Sequence, residues 1–385
     1  MIARRLLDTL RTSTKSILLL GPRQTGKSTL IGELRPDLTI NLAHEPTYLE
    51  FARNPRELEE RIAAVPHGSG HRTVFIDEVQ RLPSLLNTVQ VMLDQAAGRI
   101  RFLLTGSSAR KLRRGNANLL PGRVHTYHLG PIACGEVEYR LNTRQALATG
   151  TLPGMLTDPE VGSREKTLRS YAATYLKEEV QAESLSRNLE GFARFLGVVA
   201  DWAGHYLDLS KLAAAAQVAR QSATRYFEVL EDTLIVQRTE PFTQSLRRRL
   251  VQHPKFYFFD VGVRNGLLGA FEVSADRIGL LFEQLVFSQL MASAAAADRD
   301  LRVATYRTEH GAEVDLIVEI GRALWALELK ASRSVDRRDL RGLQSFADFY
   351  GKRHTPIVWY LGDVRRRIEG VDVLPWQEGL RSLGL

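Results

Sequence analysis

The sequence predicts an α/β protein: a phosphate-loop core with a parallel sheet and a helical lid, then a winged helix, then a second α/β domain. Residues 17–30 show the pattern of an apolar strand, a polar loop containing glycine, and an apolar helix. Up to residue 129, further apolar runs ending in polar residues alternate with helical patterns. Because such alternation forms a parallel sheet that binds ligands at the carboxyl ends of its strands, the loop after the first strand is the expected site.

That loop carries the strongest motif in the chain. Residues 21–28 match G-x-x-x-x-G-K-[ST] at every fixed position, and the two glycines allow the backbone to curl around phosphate groups. Lys27 is expected to reach the β- and γ-phosphates, and Ser28 to ligate Mg²⁺. The predicted ATP-binding residues are Gly21, Pro22, Arg23, Gln24, Thr25, Gly26, Lys27, Ser28 and Thr29.

A second motif lies at the end of a later strand. Residues 74–76 are Val-Phe-Ile, and Asp77 and Glu78 follow directly. At the carboxyl end of a buried strand, Asp77 is expected to support Mg²⁺ and Glu78 to polarise the attacking water. The two motifs together predict that the chain uses ATP and Mg²⁺.

Composition limits the class of protein. A chain of 385 residues with 44% hydrophobic and 25% charged residues suggests two or three soluble globular domains. The single cysteine, Cys134, excludes an internal disulfide, and no uninterrupted apolar run approaches a membrane span, so we expect a cytoplasmic protein without a membrane partner. The net charge of +8 favours an acidic partner such as nucleic acid.

The remaining core elements follow in order. Helices are predicted at residues 1–16, 45–64 and 83–97, and strands at residues 38–42, 101–108 and 124–129. The strand at 101–108 contains Thr105 and Ser107 near its carboxyl end, so both are expected close to the γ-phosphate. Residues 131–206 are mostly helical in pattern and form the predicted lid.

With these elements in place, the chain resembles the AAA+ ATPases. In that family a polar residue at the end of the fourth strand senses the γ-phosphate, and Ser107, or else Thr105, matches it. An arginine before the fifth strand reaches the neighbouring subunit's nucleotide, and Arg123 matches it, with Arg113 and Arg114 as competitors. The resemblance therefore implies a homo-oligomeric ring or partial ring. The alternative is that Arg123 is an ordinary surface cation.

Residues 209–238 are similar to a winged helix-turn-helix. Ser210 is expected to cap a short alanine-rich helix, and a second helix precedes a strand that begins near residue 234. The predicted DNA-binding residues are Arg220, Ser222, Thr224 and Arg225 on the second helix, with Arg247, Arg248 and Arg249 as phosphate contacts. The alternative is a winged helix used for packing or oligomerisation.

The last part of the chain is predicted to contain strands at residues 301–307, 313–319 and 324–330. Residues two apart on a strand share a face, so Glu328 and Lys330 point together. An acid followed by Glu-x-Lys resembles the active site of restriction-endonuclease-like nucleases, and implies a Mg²⁺ site at Glu283, Asp315, Glu328 and Lys330. The alternative is a degenerate nuclease-like domain used for packing or for holding DNA.

The order of these parts resembles a widespread prokaryotic AAA+ ATPase family whose C-terminal, nuclease-like region has no known function. The expected domains are residues 1–130 for the core, 131–206 for the lid, 207–255 for the winged helix and 256–385 for the nuclease-like domain. The resemblance implies a Mg²⁺-dependent ATPase that remodels or translocates DNA, including branched DNA or recombination intermediates. The alternatives are an ATP-gated metal-dependent nuclease, and a nucleotide-dependent switch that binds a protein partner in defence or toxin control.

Overall fold

The N-terminal part of the computed structural model is a five-stranded parallel sheet flanked by helices. The structure describes residues 2–66, 71–95, 98–107, 120–182, 189–242 and 253–385. In chain order the first elements are α1 (Leu6–Thr12), β1 (Ser16–Leu20), α2 (Lys27–Gly32), β2 (Leu38–Asn41), α3 (Glu45–Arg53), α4 (Glu57–Ala64), β3 (Arg72–Asp77), α5 (Leu85–Gln95), β4 (Ile100–Gly106) and β5 (Val124–His128). The strand order is β2-β3-β4-β1-β5, and every pairing is parallel. The predicted α/β class is confirmed.

The central strand β1 shows why this sheet forms. All five of its residues are buried, as expected for a strand covered on both faces. Because side chains alternate between faces, Ile17 and Leu19 pack with residues of α1 and α2, while Leu18 and Leu20 pack with residues of α3, α4 and α5. The carboxyl end of β1 is thereby fixed in the middle of the sheet, where the phosphate loop begins.

A mostly helical region follows the core. Its elements are α6 (Thr143–Thr149), α7 (Pro153–Thr157), α8 (Val161–Ala182), α9 (Leu189–Trp202), α10 (Leu209–Ala215), α11 (Arg220–Asp232), β6 (Val236–Pro241), β7 (Lys255–Phe258) and α12 (Val261–Leu268). The prediction that Ser210 caps α10 is wrong. The cap is Asp208, whose carboxylate accepts hydrogen bonds from the backbone N–H groups of Ser210 and Lys211 at 3.0 and 3.1 Å.

The C-terminal part is built on a mixed sheet. Its elements are α13 (Ile278–Ala296), β8 (Leu301–Arg307), β9 (Glu313–Ile320), β10 (Ala323–Lys330), α14 (Arg341–Tyr350), β11 (Thr355–Tyr360), β12 (Arg366–Ile368), β13 (Val371–Pro375) and α15 (Trp376–Ser382). The strand order is β12-β13-β11-β10-β9-β8-β6-β7. The two strands before residue 259 therefore extend this sheet, with Glu240 of β6 opposite Ala304 of β8.

Helix α13 joins the two halves of the chain. By length and composition this helix could cross a membrane, but 67% of its most apolar window is buried inside the protein, as in a core helix. Its Gln289 accepts a hydrogen bond from Cys134 N at 2.7 Å and donates to Ile132 O and Thr151 Oγ1. A buried amide with every group satisfied fixes the end of the first domain against this helix.

Candidate nucleotide-binding site

The phosphate loop connects β1 to α2 in a tight turn that requires both of its glycines. A Cβ atom on Gly21 would lie 2.2 Å from the carbonyl oxygen of Leu129, and Gly26 has φ +88°. Side chains at these two positions would either clash with the backbone or strain it. The loop is thus closed on one side by the chain that leaves β5 and remains shaped to hold phosphate groups.

Lys27 is buried inside this loop rather than extended into solvent. Its side-chain Nζ donates hydrogen bonds to the carbonyl oxygens of Gly21 and Pro22, both at 2.9 Å. These contacts hold the ammonium within the arc of the loop, where it can meet the oxygens of a bound triphosphate.

Ser28, Asp77 and Thr105 form a chain of hydrogen bonds across the strand ends. The Ser28 hydroxyl donates to Asp77 Oδ2 at 2.8 Å, and the Thr105 hydroxyl donates to Asp77 Oδ1. Thr105 Oγ1 also accepts from the backbone N–H of Glu78 at 3.2 Å. Of the two hydroxyls predicted near the γ-phosphate, Thr105 therefore contacts the acidic motif directly.

Glu78 is held by a residue that the sequence did not single out. The Gln80 side-chain amide donates to Glu78 Oε2 and also to Ser107 Oγ, the latter at 3.1 Å. Glu78 itself has φ +58°, an uncommon conformation for this residue type. Gln80 therefore links the predicted catalytic base to the predicted sensor. The only feature of the sequence that could have indicated Gln80 is its position two residues after Glu78.

Arg4 is a second residue that sequence analysis missed. Its side chain is buried and donates to the backbone oxygens of Thr25 at 2.7 Å, Gly130 at 3.0 Å and Pro131 at 3.2 Å. Its Nε donates to Glu136 Oε1 at 3.0 Å, completing a buried ion pair. Arg4 therefore ties the phosphate loop to the segment that leads from β5 to the lid.

A cavity of about 300 Å³ opens beside the loop, between α2 and α7. Its wall is mainly apolar and is formed by residues of the N-terminus, the loop, α2 and the lid. The lining residues include Ile2, Thr29, Leu30, Ile132 and Pro153.

The donor set at the strand ends fits Mg²⁺. A serine hydroxyl and a carboxylate are hard oxygen ligands, and Mg²⁺ in nucleotide sites takes one or two such protein ligands and completes its shell with phosphate and water. Ser28 Oγ and Asp77 Oδ2, 2.8 Å apart, are the two protein atoms that would hold the ion.

Arg123 lies at the amino-terminal ends of the strands, whereas the phosphate loop lies at their carboxyl ends. Parallel pairing aligns Ser16 with Val124, so Arg123 precedes the amino ends of these strands. Its guanidinium forms a two-pronged ion pair with Asp94, with distances of 2.7 and 2.9 Å. Arg123 therefore cannot serve its own chain's nucleotide, and its predicted role across a subunit interface stays a prediction. The competitors Arg113 and Arg114 lie outside the described residues.

The structure describes four of the seven predicted DNA-binding residues. Arg220 and Arg225 are exposed on the first turns of α11, while Ser222 and Thr224 are half-buried. The Thr224 hydroxyl donates to Arg220 O at 3.0 Å, so it is engaged within its own helix. The three predicted phosphate contacts, Arg247, Arg248 and Arg249, lie outside the described residues.

The four residues predicted as a nuclease site come together between α13, β9 and β10. Lys330 Nζ lies 2.8 Å from Glu328 Oε1, and Asp315 Oδ2 accepts from the backbone N–H of Leu329 at 2.7 Å. Burial, together with the neighbouring carboxylates of Glu328 and Glu283, raises the pKa of Asp315 well above its ordinary value.

The same cluster contains a lysine that the sequence did not predict. Lys255, on β7, places Nζ 3.0 Å from Glu283 Oε1 and 2.9 Å from Glu313 Oε1. Across the described residues, no group of three or more His, Cys, Asp or Glu side chains is arranged to hold a metal ion. With Lys255 between Glu283 and Glu313 and Lys330 on Glu328, the carboxylates of this cluster are paired with ammonium groups and do not fit the divalent ion that a nuclease needs while Lys255 is present.

Comparison with known families divides the chain into three segments. Residues 13–138 match the model of an AAA domain, residues 140–274 a domain of unknown function called DUF8612, and residues 278–378 another called DUF4143. The descriptions of the latter two name no fold, so the winged helix and the nuclease-like domain stay predictions.

The individual proteins that are similar to this chain give little further information about its function. Uncharacterized proteins of Mycobacterium bovis and Mycobacterium tuberculosis are each 29% identical to this chain over 324 residues, covering 82% of it and 70% of their own length. A DNA polymerase III gamma subunit-related protein from Thermotoga maritima is 12% identical over 59% of this chain and 98% of that one, with a TM-score of 0.26. So low a TM-score does not establish a shared fold. The match of residues 13–138 to an AAA domain, together with the loop geometry, supports an AAA+ ATPase.

Proposed function

We propose that this protein hydrolyses ATP at the carboxyl ends of β1, β3 and β4. The observation that carries the proposal is the set of contacts among Ser28, Asp77 and Thr105, with the Glu78 backbone as its fourth member. These contacts align oxygen ligands and the Glu78 carboxylate around one loop shaped for phosphate. Such positioning supplies most of the catalysis in phosphoryl transfer.

Each side chain has a distinct role in this proposal. Lys27 neutralises the β- and γ-phosphates, and Ser28 with Asp77 holds Mg²⁺, which when bound neutralises charge on the phosphate oxygens. Glu78 orients the attacking water, and Ser107 contacts the γ-phosphate. Gln80 sets the direction of the Glu78 carboxylate through its hydrogen bond.

The cavity beside the loop supports an adenine nucleotide. Thr29 and Leu30 of α2 form one wall, and Ile132 and Pro153 form another. A mainly apolar pocket next to the phosphate site suits a flat aromatic base. The pocket includes the lid helix α7, so nucleotide binding would bring the lid and the core together.

We extend the proposal to action on DNA by an oligomer in the cytoplasm. The net charge of +8 favours a polyanionic partner, and Arg220 and Arg225 are exposed at the start of α11, where a recognition helix meets DNA. Hydrolysis would move the lid and α11 against the core, and so remodel or translocate DNA, with branched DNA or recombination intermediates as the expected substrates.

The ATPase proposal is tested with Glu78→Gln. This variant removes the carboxylate that orients water but keeps the size of the side chain, so we expect nucleotide binding to persist and turnover to fall at least about 100-fold. Glu59→Gln, an exposed change on α4, is the matched control. Turnover retained by Glu78→Gln would remove Glu78 from the mechanism.

The DNA proposal is tested by measuring ATPase rate with single-stranded, duplex and four-way-junction DNA. Strong stimulation by one form, reduced in an Arg220→Ala/Arg225→Ala variant, is the expected result. A rate that no DNA form changes would favour the alternative of a nucleotide-dependent switch with a protein partner.

A further inference from the structure

Lys255 is a buried cation in an otherwise acidic cluster. The residue is 5% exposed, and its ammonium donates to Glu283 Oε1 at 3.0 Å and lies 2.9 Å from Glu313 Oε1. The ring of Tyr206 lies beneath it, 5.4 Å from Nζ to the ring centroid. Burial acts to lower the pKa of Lys255, but Glu283 and Glu313 outweigh it and raise that pKa above its usual value.

The cluster contains three basic groups that offset part of its acidic charge without any metal. Its four carboxylic acids are those of Glu283, Glu313, Asp315 and Glu328, and its three basic groups are those of Lys255, Lys330 and Arg307. Two phenols also face it, since Tyr257 OH donates to Glu283 Oε1 at 2.5 Å and Tyr206 OH to Glu313 Oε1 at 3.3 Å. Asp339 approaches Lys330 from the other side at 3.6 Å.

We propose that Lys255 is the resident cation of this cluster: its ammonium takes the position that a divalent ion would need, and the cluster joins elements instead of cleaving phosphodiesters. The joined elements are β7, which carries Lys255, α13, which carries Glu283, and β9, which carries Glu313. β7 is also an edge strand of the eight-stranded sheet. The ion pair between Lys255 and Glu283 therefore joins this edge strand to α13.

The competition between Lys255 and a metal follows from simple electrostatics. A covalently attached ammonium is present at a fixed position, whereas a divalent ion must lose its water and displace that ammonium from two carboxylates. Without Lys255, the same carboxylates would carry uncompensated charge in a buried place. Glu328 Oε2, which is buried with no hydrogen-bond partner among the described residues, would then be available as a further oxygen ligand.

The proposal is tested by Mn²⁺ binding to the full chain without nucleotide, followed by electron paramagnetic resonance. We expect Lys255→Met to gain one saturable Mn²⁺ site beyond those of wild type, and Lys255→Met/Glu328→Gln to lose that added site. Wild type and Lys352→Met, a surface control, should bind the same number of Mn²⁺ ions. Absence of a new site in folded Lys255→Met would overturn the proposal.

Two further measurements keep the test decisive if Lys255→Met does not fold. Lys255→Met/Glu313→Gln removes one carboxylate along with the lysine, so we expect it to melt at a higher temperature than Lys255→Met and to bind Mn²⁺. Wild type and Glu328→Gln are also compared directly. Mn²⁺ binding or DNA cleavage by wild type that Glu328→Gln abolishes would show a working metal site and refute the role of Lys255. None of these results depends on ATP hydrolysis.

Discussion

Ser28 Oγ donates a 2.8 Å hydrogen bond to Asp77 Oδ2, joining residues that are 49 positions apart in the sequence. Ser28 lies in the first turn of α2 and Asp77 ends β3, and the parallel sheet places both at the carboxyl ends of its strands. The two oxygens are therefore positioned as a pair by the fold, before any ion needs to organise them.

Removal of the Ser28 hydroxyl should weaken the response of the ATPase to Mg²⁺. In Ser28→Ala one of the two protein oxygens is lost, so we expect the Mg²⁺ concentration for half-maximal rate to rise about tenfold or more. Ser28→Thr keeps the hydroxyl and should stay close to wild type. The measurement is ATPase rate during a Mg²⁺ titration. Equal Mg²⁺ curves for Ser28→Ala and wild type would exclude Ser28 as a ligand.

Gln80 should affect the rate of hydrolysis more than nucleotide affinity. Gln80→Leu has a similar shape but cannot donate to Glu78 or Ser107, so the Glu78 carboxylate loses its orientation. We expect kcat to fall about tenfold with KM nearly unchanged. Gln344→Leu, on the exposed face of α14, is the control. A change confined to KM would mean that Gln80 shapes the binding site instead.

Arg123 should act only when chains assemble. Its ion pair with Asp94 is partly exposed and is therefore screened by solvent and salt, so a neighbouring subunit's nucleotide could recruit the guanidinium. We expect specific ATPase activity to rise with protein concentration in wild type and to stay low in Arg123→Ala, with nucleotide binding unchanged in both. Concentration-independent activity in wild type would contradict the predicted role across an interface.

Arg4 and Glu136 should be strongly coupled in stability. Their side chains are 7% and 0% exposed, so Arg4→Met leaves a buried carboxylate without its cation, at a cost of about 3–5 kcal/mol. Arg4→Met/Glu136→Gln removes both charges and should recover part of that loss. The measurement is a double-mutant cycle by denaturant unfolding of the core. Additive effects of the two single changes would show that the pair does not interact.

The nucleotide-binding motifs could be predicted because each is local. Glycine spacing, Lys27 and Ser28 lie on one short stretch, and Asp77 and Glu78 end one apolar run, so a correct strand assignment places them at the sheet edge. The α/β class followed from the same alternation and is confirmed by the sheet order.

The residues that sequence analysis missed act through distant partners. Arg4 meets Glu136 across 132 positions, and Lys255 meets Glu283 across 28. An isolated basic residue near the N-terminus, or at the start of a short strand, has the pattern of a solvent-exposed cation. Lys255 is buried by Glu283 of α13, Glu313 of β9 and the ring of Tyr206, and these distant contacts leave no local pattern. Even the cap of α10 was misplaced, because Asp208 and Ser210 are both good capping residues and only the backbone decides between them.

Asp260 should make stability depend on pH in the acid range. Its carboxylate caps α12 by accepting from Val263 N at 3.1 Å and also accepts from Thr151 N at 2.8 Å, in a fully buried position. Burial raises the pKa of Asp260 from its ordinary value of 3.8 to about 6, against the opposing effect of these backbone hydrogen bonds. The folded protein therefore binds this proton more tightly than the unfolded chain does.

The sign of the effect follows from that difference. Stability contributed by the neutral carboxyl is present below pH 3.8 and is lost as pH rises to about 6, by up to about 3 kcal/mol. Asp260→Asn cannot titrate, so its melting temperature relative to wild type should rise between pH 4 and pH 7, whatever its constant offset from the altered hydrogen bonds. Asp363→Asn, an exposed change, should show no such trend. A melting-temperature difference between Asp260→Asn and wild type that stays constant with pH would show that Asp260 is ionised throughout, with its backbone donors outweighing burial.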